Sequence, residues 1–217
     1  MAITLYYMLE SPPCNTVLLL LKKLKLEFKS VYLDLSKGEH LQEDFKKINP
    51  LCCVPTIVDE DFILWESRAI CCYLINKYSK NDILYPTEPK IRATIDKWLF
   101  FDASTLSPCQ TNYLFPILEQ KSIDEKKKSK FYEKIKILDL ELEKSSYFGS
   151  NTNYTLADLS IISTLLFALA NDENFDNYPF LKKWIAKMKS TTEYQETSIN
   201  AYNSFRKYLN EKKNEKI

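Results

Sequence analysis

Asn49-Pro50-Leu51-Cys52-Cys53-Val54-Pro55-Thr56-Ile57-Val58-Asp59-Glu60-Asp61-Phe62-Ile63-Leu64-Trp65-Glu66-Ser67-Arg68 is the stretch on which the fold turns. Asn49-Pro50 ends the short helix expected over Leu41 to Ile48, because a residue before proline is pushed out of the helical region. Pro55-Thr56-Ile57-Val58 and Phe62-Ile63-Leu64 read as two strands joined at Asp59-Glu60-Asp61. Glu66 and Ser67 then open the first turn of a helix running to Tyr78. Toward the N-terminus, Phe28 to Leu33 alternates as another strand. Ile3-Thr4-Leu5-Tyr6-Tyr7-Met8 suits a buried one. Between them, Ser11-Pro12-Pro13 is a helix start, a capping hydroxyl followed by prolines in the first turn, and Val17, Leu20, Leu21 and Leu24 continue at helical spacing. The expected order is β-α-β-α-β-β-α within about the first 78 residues, a small mixed α/β sheet module.

The remainder reads differently. Ser79-Lys80-Asn81-Asp82 through Pro86 and Pro89 interrupts the pattern as a linker, and the expected boundaries are 1–79, 80–89 and 90–217. Beyond it only helical stretches carry weight: Lys90–Gln120, Asp124–Ser145, Leu156–Ala170, Pro179–Met188 and Glu193–Asn210. Thr155-Leu156-Ala157-Asp158 is a capping box before the apolar run Ile161-Ile162-Leu165-Leu166. The lysines of 126–130 and of the tail 212–216 read as solvated helix faces.

Composition narrows the chemistry. The 217 residues hold only two glycines, Gly38 and Gly149, so no glycine-rich phosphate loop can be built. Net charge is +1, which offers no bulk attraction to nucleic acid or to an anionic membrane. The longest greasy run, Val17–Leu21, is far too short to span a bilayer, and the N-terminus lacks the pattern of a secretory signal. Six cysteines, including the pairs Cys52-Cys53 and Cys71-Cys72, form neither a disulfide framework nor metal-ligand spacing. His40 is the single histidine, so no metal is expected. A cytoplasmic protein with reduced thiols is the expectation.

Three elements can carry chemistry. Ser11-Pro12-Pro13-Cys14 stands between the first strand and first helix, where N–H groups and the helix dipole favour a thiolate. Serine cannot form a mixed disulfide, but its hydroxyl can donate to a sulfur anion brought by a substrate. Plain helix capping accounts for Ser11 equally. Val54-Pro55 at a strand start can hold a cis bond that turns backbone groups outward toward an extended peptide; an ordinary trans proline fits the same residues. Glu66 and Ser67 suit an ammonium and a carboxylate at a helix start, or simply cap it. Together these are a sulfur site, a backbone site and a zwitterion site on one module, and glutathione carries all three groups.

Several strings bear a family resemblance: Leu41…Phe45…Asn49-Pro50…Val54-Pro55-Thr56, then Leu64-Trp65-Glu66-Ser67-Arg68-Ala69-Ile70 and Tyr73-Leu74. Leu84-Tyr85-Pro86, Phe100-Phe101-Asp102 and Thr155-Leu156-Ala157-Asp158-Leu159 continue it. Over about 200 residues the chain resembles the cytosolic glutathione transferases, in particular the insect delta and epsilon classes. Glu66-Ser67-Arg68 is delta-like, whereas Ser11-Pro12-Pro13 and Phe101-Asp102-Ala103-Ser104 are closer to epsilon. The resemblance implies a thioredoxin-like N-terminal domain, an all-helical C-terminal domain and a homodimer.

It further implies that Ser11 activates the glutathione thiolate, with no metal and no covalent enzyme intermediate. Val54 would pair with the cysteinyl backbone beside a cis Pro55, in a loop with Cys52 and Cys53. Glu66 and Ser67 would hold the γ-glutamyl end with support from Arg68, and His40 would lie near the glycyl carboxylate. A solvent-exposed histidine at a helix start is the simpler account of His40. Phe101, Ser104, Thr105, Pro108, Cys109, Tyr113 and Phe115, with Tyr202 and Phe205, are expected to line an apolar cleft for small hydrophobic electrophiles. Pro108 and Pro116 should kink the long fourth helix near it. Two departures matter: Cys52 stands where the family usually has histidine, and Glu10 precedes Ser11. Glu10 turned into the pocket would oppose a thiolate; facing solvent, it would matter little. Two rival readings stand beside the enzyme: a non-catalytic carrier of apolar ligands such as lipids, haem or steroids, with a specialised hormone-related member as its variant, and an assembly module in translation.

Overall fold

The computed structural model describes residues 3–81, 83–118 and 121–214. The readings made on Met1-Ala2, on Asp82 and Gln120 and on the side chains of the lysine-rich tail 212–216 lie outside it. Strands β1 (Ile3–Tyr7), β2 (Phe28–Tyr32), β3 (Thr56–Asp59) and β4 (Phe62–Trp65) form one sheet in the order β2-β1-β3-β4. β2 runs parallel to β1, while β3 is antiparallel to both β1 and β4. Helix α1 (Pro12–Lys23) makes the parallel crossover, and α3 (Ser67–Tyr78) follows β4. The expected helix over Leu41–Ile48 is broken into a 3-10 turn, Glu39–Leu41, and the single turn α2 (Glu43–Lys46).

α1 explains its own sequence. Ser11 caps it, the Ser11 side-chain oxygen accepting from Cys14 N at 3.4 Å, and Pro12 and Pro13 occupy the positions whose N–H groups would have no partner anyway. From Cys14 to Leu21 every residue is buried, because the helix packs on α3 on one side and on the helical domain's α7 on the other. A one-sided helix would show a stripe; a helix buried all round shows a run.

The second domain is all-helical: α4 (Pro89–Phe101), α5 (Ser107–Leu118), α6 (Glu125–Lys144), α7 (Leu156–Ala170), α8 (Pro179–Lys189) and α9 (Ile199–Asn214). α7 is its spine, buried along nearly its whole length. The capping box holds as expected: Thr155 N donates to Asp158 Oδ2 at 2.7 Å and Ala157 N to Thr155 Oγ1 at 3.2 Å. Asp158 does more, accepting from Phe148 N at 3.1 Å and Trp184 Nε1 at 2.7 Å, which ties α8 and the loop before α7 to one carboxyl. In that loop Gly149 sits at φ 92°, and an added Cβ would fall 2.8 Å from Ile95 Cγ1, so glycine is required there.

The helix expected over Lys90–Gln120 is two helices joined by a widened π turn, Asp102–Leu106, with Ser107 N donating to Asp102 O. Pro108 has no N–H to offer the Ser104 carbonyl, so the normal ladder fails at this point. A second π turn, Tyr194–Ser198, precedes α9, so the expected helix over Glu193–Asn210 also begins with a widened turn. The two domains share one continuous apolar core. Buried Asn15 of α1 stitches the seam, its Oδ1 accepting from Ser163 Oγ at 3.1 Å and Ser198 Oγ at 2.7 Å. Among the described residues no helix is long and apolar enough to cross a membrane, and no cluster of three side chains could hold a metal.

Candidate active site at one end of the sheet

Register gathers the sequence-predicted residues. Val31, Tyr6, Thr56 and Trp65 lie in one row across β2, β1, β3 and β4. Just beyond that row the chain passes through Ser11 after β1, Val54-Pro55 before β3 and Glu66-Ser67 after β4, while His40 lies further on after β2, in the 3-10 turn Glu39–Leu41. Neighbouring strands are about 4.8 Å apart, so these segments emerge side by side at one edge of the module.

Ser11 keeps its capping role and loses nothing by it. Capping uses a lone pair, so the hydroxyl hydrogen stays free to donate outward. Cys14, one turn on, is fully buried, and burial pushes its thiol up to about 12. It is therefore no nucleophile, and the free donor at this helix start is Ser11. Glu10 takes neither of the two expected orientations. It turns onto α9, where its Oε1 accepts from Ser204 Oγ while its Oε2 is buried without a partner. The carboxylate beside Ser11 is thus committed to the helical domain.

The loop before β3 is braced by Asn49, which sequence reading used only as a helix stop. Fully buried, its Nδ2 donates to Cys53 O at 3.2 Å, Cys53 Sγ at 3.3 Å and Thr56 Oγ1 at 2.9 Å, and its Oδ1 accepts from Leu51 N at 3.0 Å. Thr56 Oγ1 adds a bond to Cys53 O at 2.8 Å. Cys53 is thereby fastened inward. Cys52 sits at φ 52°, its Sγ weakly on Pro50 O at 3.8 Å. Val54-Pro55 is cis, and the backbone N–H and C=O of Val54 pair with no group among the described residues. A free donor and acceptor at the head of a strand is what an added peptide strand requires.

At the start of α3, Glu66 is not in the first turn as expected. It stands before it at φ 70°, exposed, its carboxylate making no hydrogen bond. Ser67 is buried, and Arg68 Nη1 donates to its Oγ at 3.3 Å. Arg68 Nη2 reaches the fully buried Asp102 Oδ2 at 2.5 Å, and Ser160 Oγ donates to the same oxygen at 2.5 Å. The start of α3 is therefore bolted to the π turn between α4 and α5 and to α7. Nothing in the sequence couples residues 68, 102 and 160, which meet only because three helix segments converge.

The expected cleft residues divide. Phe101, Thr105 and Cys109 are half-buried at helical spacing on either side of Asp102, while Ser104 and Pro108 are exposed. Phe115 is 52% exposed and stands edge-on to Phe167 at 6.1 Å, and Phe167 stacks on Phe205 at 5.2 Å. Phe115, Phe167 and Phe205 form an aromatic wall from α5 to α9, one residue from the Ser204 contact to Glu10. Tyr113 does not belong to it. It is buried against Phe131, its hydroxyl on Glu173 at 3.0 Å, on the α6 side of α5. Tyr202 faces Lys189 and accepts from Arg206 Nη1 at 3.0 Å. Phe167 and Phe205 are buried in the core, so Phe115 is the exposed member of this cluster; α7 is buried along nearly its whole length, and its sequence does not single Phe167 out.

This fold is a thioredoxin-like sheet module backed by an all-helical domain. The family model described as glutathione S-transferase, N-terminal domain, matches residues 1–76, and that described as glutathione S-transferase, C-terminal domain, matches 101–191. Glutathione S-transferase D7 of Anopheles gambiae is 36% identical over 186 residues, 85% of each chain. The solved delta-class glutathione transferase of Nilaparvata lugens matches with TM-score 0.92 at 35% identity, covering 97% of this chain and 99% of its own. An epsilon-class glutathione S-transferase from the housefly, Musca domestica, matches with TM-score 0.90 at 29% identity, covering 97% and 98%. The chain belongs to the glutathione S-transferase family, with insect delta and epsilon enzymes as structural neighbours.

Proposed function

We propose that this protein is a serine-type glutathione transferase that joins the glutathione thiolate to small apolar electrophiles. The observation that carries the reading is the unpaired Val54 backbone at cis Pro55, flanked at the same sheet end by Ser11 and by Ser67 with the free Glu66 carboxylate. Glutathione lies across that end with its cysteinyl backbone on Val54. Its γ-glutamyl ammonium meets Glu66, and its α-carboxylate meets Ser67 and the first N–H groups of α3. The glycyl end extends toward His40, whose Nδ1 is buried without a partner, and toward Cys52.

The Ser11 hydroxyl and the N-terminus of α1 stabilise the sulfur anion, lowering the thiol pKa from its ordinary value near ~8.5. The thiolate attacks an electrophilic carbon held against the aromatic wall, and the leaving group departs with the bonding pair. Proximity and thiolate stabilisation supply the rate, and the same thiolate can reduce small peroxides. The protein works in the cytoplasm in a detoxification role as a homodimer joined chiefly through its helical domain. Six free cysteines fit a reducing compartment, and Phe100 of α4, 72% exposed, fits a face awaiting a partner.

The test is conjugation of glutathione to 1-chloro-2,4-dinitrobenzene by wild type and Ser11→Ala between about pH 5.5 and 8.5. A drop of tenfold or more, with the pH midpoint moved upward, supports the reading. Equal, near-background rates in both would remove it for aryl halides.

A further inference from the structure

A net charge of +1 conceals an uneven surface. Helix α8 carries Lys182, Lys183, Lys187 and Lys189 and no carboxylate. It packs against α6, and Leu181 N donates to Asp139 Oδ1 at 2.8 Å, which sets the start of α8 beside the second half of α6. A cleft of 290 Å³ lies at this junction, with Glu143, Lys144, Phe180, Lys183 and Lys187 in its wall. Lys182 is occupied by Asp176, and Lys187 lies over the Tyr147 ring at 4.0 Å. Lys136, Lys144 and Lys183, all exposed, form no ion pair among the described residues. Glu143 is the one carboxylate in the cleft wall. Residues 133–151 and 178–189, which build this face, all lie within the described chain.

Apolar side chains stand among these cations. Phe131, Ile135, Leu138 and Leu142 turn one face of α6 to the core. Ile137, Leu140 and Lys144, three and four residues apart, share the opposite face. Ile137 is 41%, Leu140 46% and Phe180 38% exposed. Glu143, one turn beyond Leu140, shares the cleft with Phe180, so the apolar strip of α6 runs on toward the start of α8. Phe100, the face proposed for the homodimer, is on α4, which packs on α7 and the first π turn, whereas α6 packs mainly on α5 and α8. Free ammonium groups call for anions, and the apolar side chains between them call for hydrocarbon. A bilayer with acidic headgroups offers both in one plane. A peptide partner anchors in an apolar groove, whereas these side chains project from the outer ridges of two helices.

We propose that the outer face of α6 and α8 docks on an anionic lipid surface. Ile137, Leu140 and Phe180 enter the headgroup boundary, Lys136 and Lys183 hold acidic headgroups around them, and the cleft beside Lys144 seats one such headgroup. The attachment is weak and reversible, since three apolar side chains and a few cations fall short of a stable anchor. The face belongs wholly to the helical domain and includes no residue of the sheet end.

Co-sedimentation of the full-length protein with vesicles decides the matter, phosphatidylcholine alone being set against phosphatidylcholine with about a third phosphatidylserine. Binding to the acidic vesicles alone is expected, weakening about fivefold or more from low to high salt. Lys136→Gln/Lys144→Gln/Lys183→Gln should weaken it about fivefold or more, and so should Leu140→Gln/Phe180→Gln. Lys29→Gln/Lys47→Gln/Lys97→Gln removes the same net charge from other exposed positions and should bind as wild type. A thermal midpoint equal to that of wild type checks that each variant folds. No binding to acidic vesicles, binding unchanged in the face variants, or equal loss in the control triple overturns the proposal. So does a dimer that dissociates in Leu140→Gln/Phe180→Gln by light scattering, which would assign the face to a second copy of the chain.

Discussion

The sheet end and the aromatic wall reach their positions by different physics. At the sheet end the proposed glutathione site uses backbone atoms, a helix cap and a helix start, and strand register sets their place. The wall is made of side chains on α5, α7 and α9, and each faces its neighbour only because three separate helices pack as they do. The first half is local chemistry held by a sheet; the second is a consequence of global packing. Glu10–Ser204 and Arg68–Asp102–Ser160 are the two places where one half grips the other.

The contrast breaks first where the helical half is cut loose. Asp158→Ala leaves Phe148 N, Thr155 N and Trp184 Nε1 without an acceptor, and should cost about 3–5 kcal/mol in denaturant unfolding. The same residue sets a pH dependence. Burial pushes the Asp158 carboxyl up to about 6, so the folded protein binds a proton more tightly than the unfolded chain. Its stabilisation is present in full below the ordinary carboxylate range and is lost as pH rises through about 6, a change of up to about 3 kcal/mol. Unfolding measured from pH 4 to 7 should show that fall in wild type and lack it in Asp158→Ala. A slope shared by both proteins would place the titration elsewhere.

Ser11→Ala strikes the sheet end alone. Loss of the cap costs about 1 kcal/mol of stability, and kcat/KM for the aryl halide falls at least tenfold with the pH profile moved up. An effect on stability without one on the profile would leave Ser11 as a cap only. Ser204→Ala tests the grip between the halves. It strips the one hydrogen bond of a half-buried carboxylate, so kcat should drop a few-fold while the glutathione KM stays put, and Ser204→Thr should restore it. A change in KM alone would assign the contact to the glutathione half. Cys52→His is the smallest change and the sharpest. Histidine accepts a backbone at φ 52° and returns a donor, so the glutathione KM should fall by a factor corresponding to about 0.5–1.5 kcal/mol. An unchanged KM would show that this position contributes nothing.

What could be read early follows the same division. The order of strands and helices in the first 78 residues came from proline positions and alternation, and the capping box at Thr155–Asp158 came from four adjacent residues. Ser11, Val54, Glu66 and Ser67 were visible as candidates because each stands where a strand or helix begins or ends, a position that neighbouring residues set. Misreadings arose where a distant partner decides. The continuous helix over Lys90–Gln120 gave way to a π turn, whose Asp102 lies against Arg68 and Ser160. Tyr113 was listed with the helical domain's candidates for the cleft, yet Glu173, sixty residues on, claims its hydroxyl. Asn49 passed for a helix stop, although its amide braces the whole loop before β3.

By itself the sequence determined the local states of the chain. Pro12 and Pro13 start a helix, Pro50 stops one, and the paired glycines of a phosphate loop are missing, because steric limits on φ and the lack of an N–H act within a few residues. Only the tertiary structure decided which way the polar side chains turned. Glu10 went to Ser204, Arg68 to Asp102 and Asn15 to Ser163 and Ser198, since a buried polar group must find whatever partner the packed helices bring within hydrogen-bond reach, and that partner lies 34 to 194 residues away along the chain.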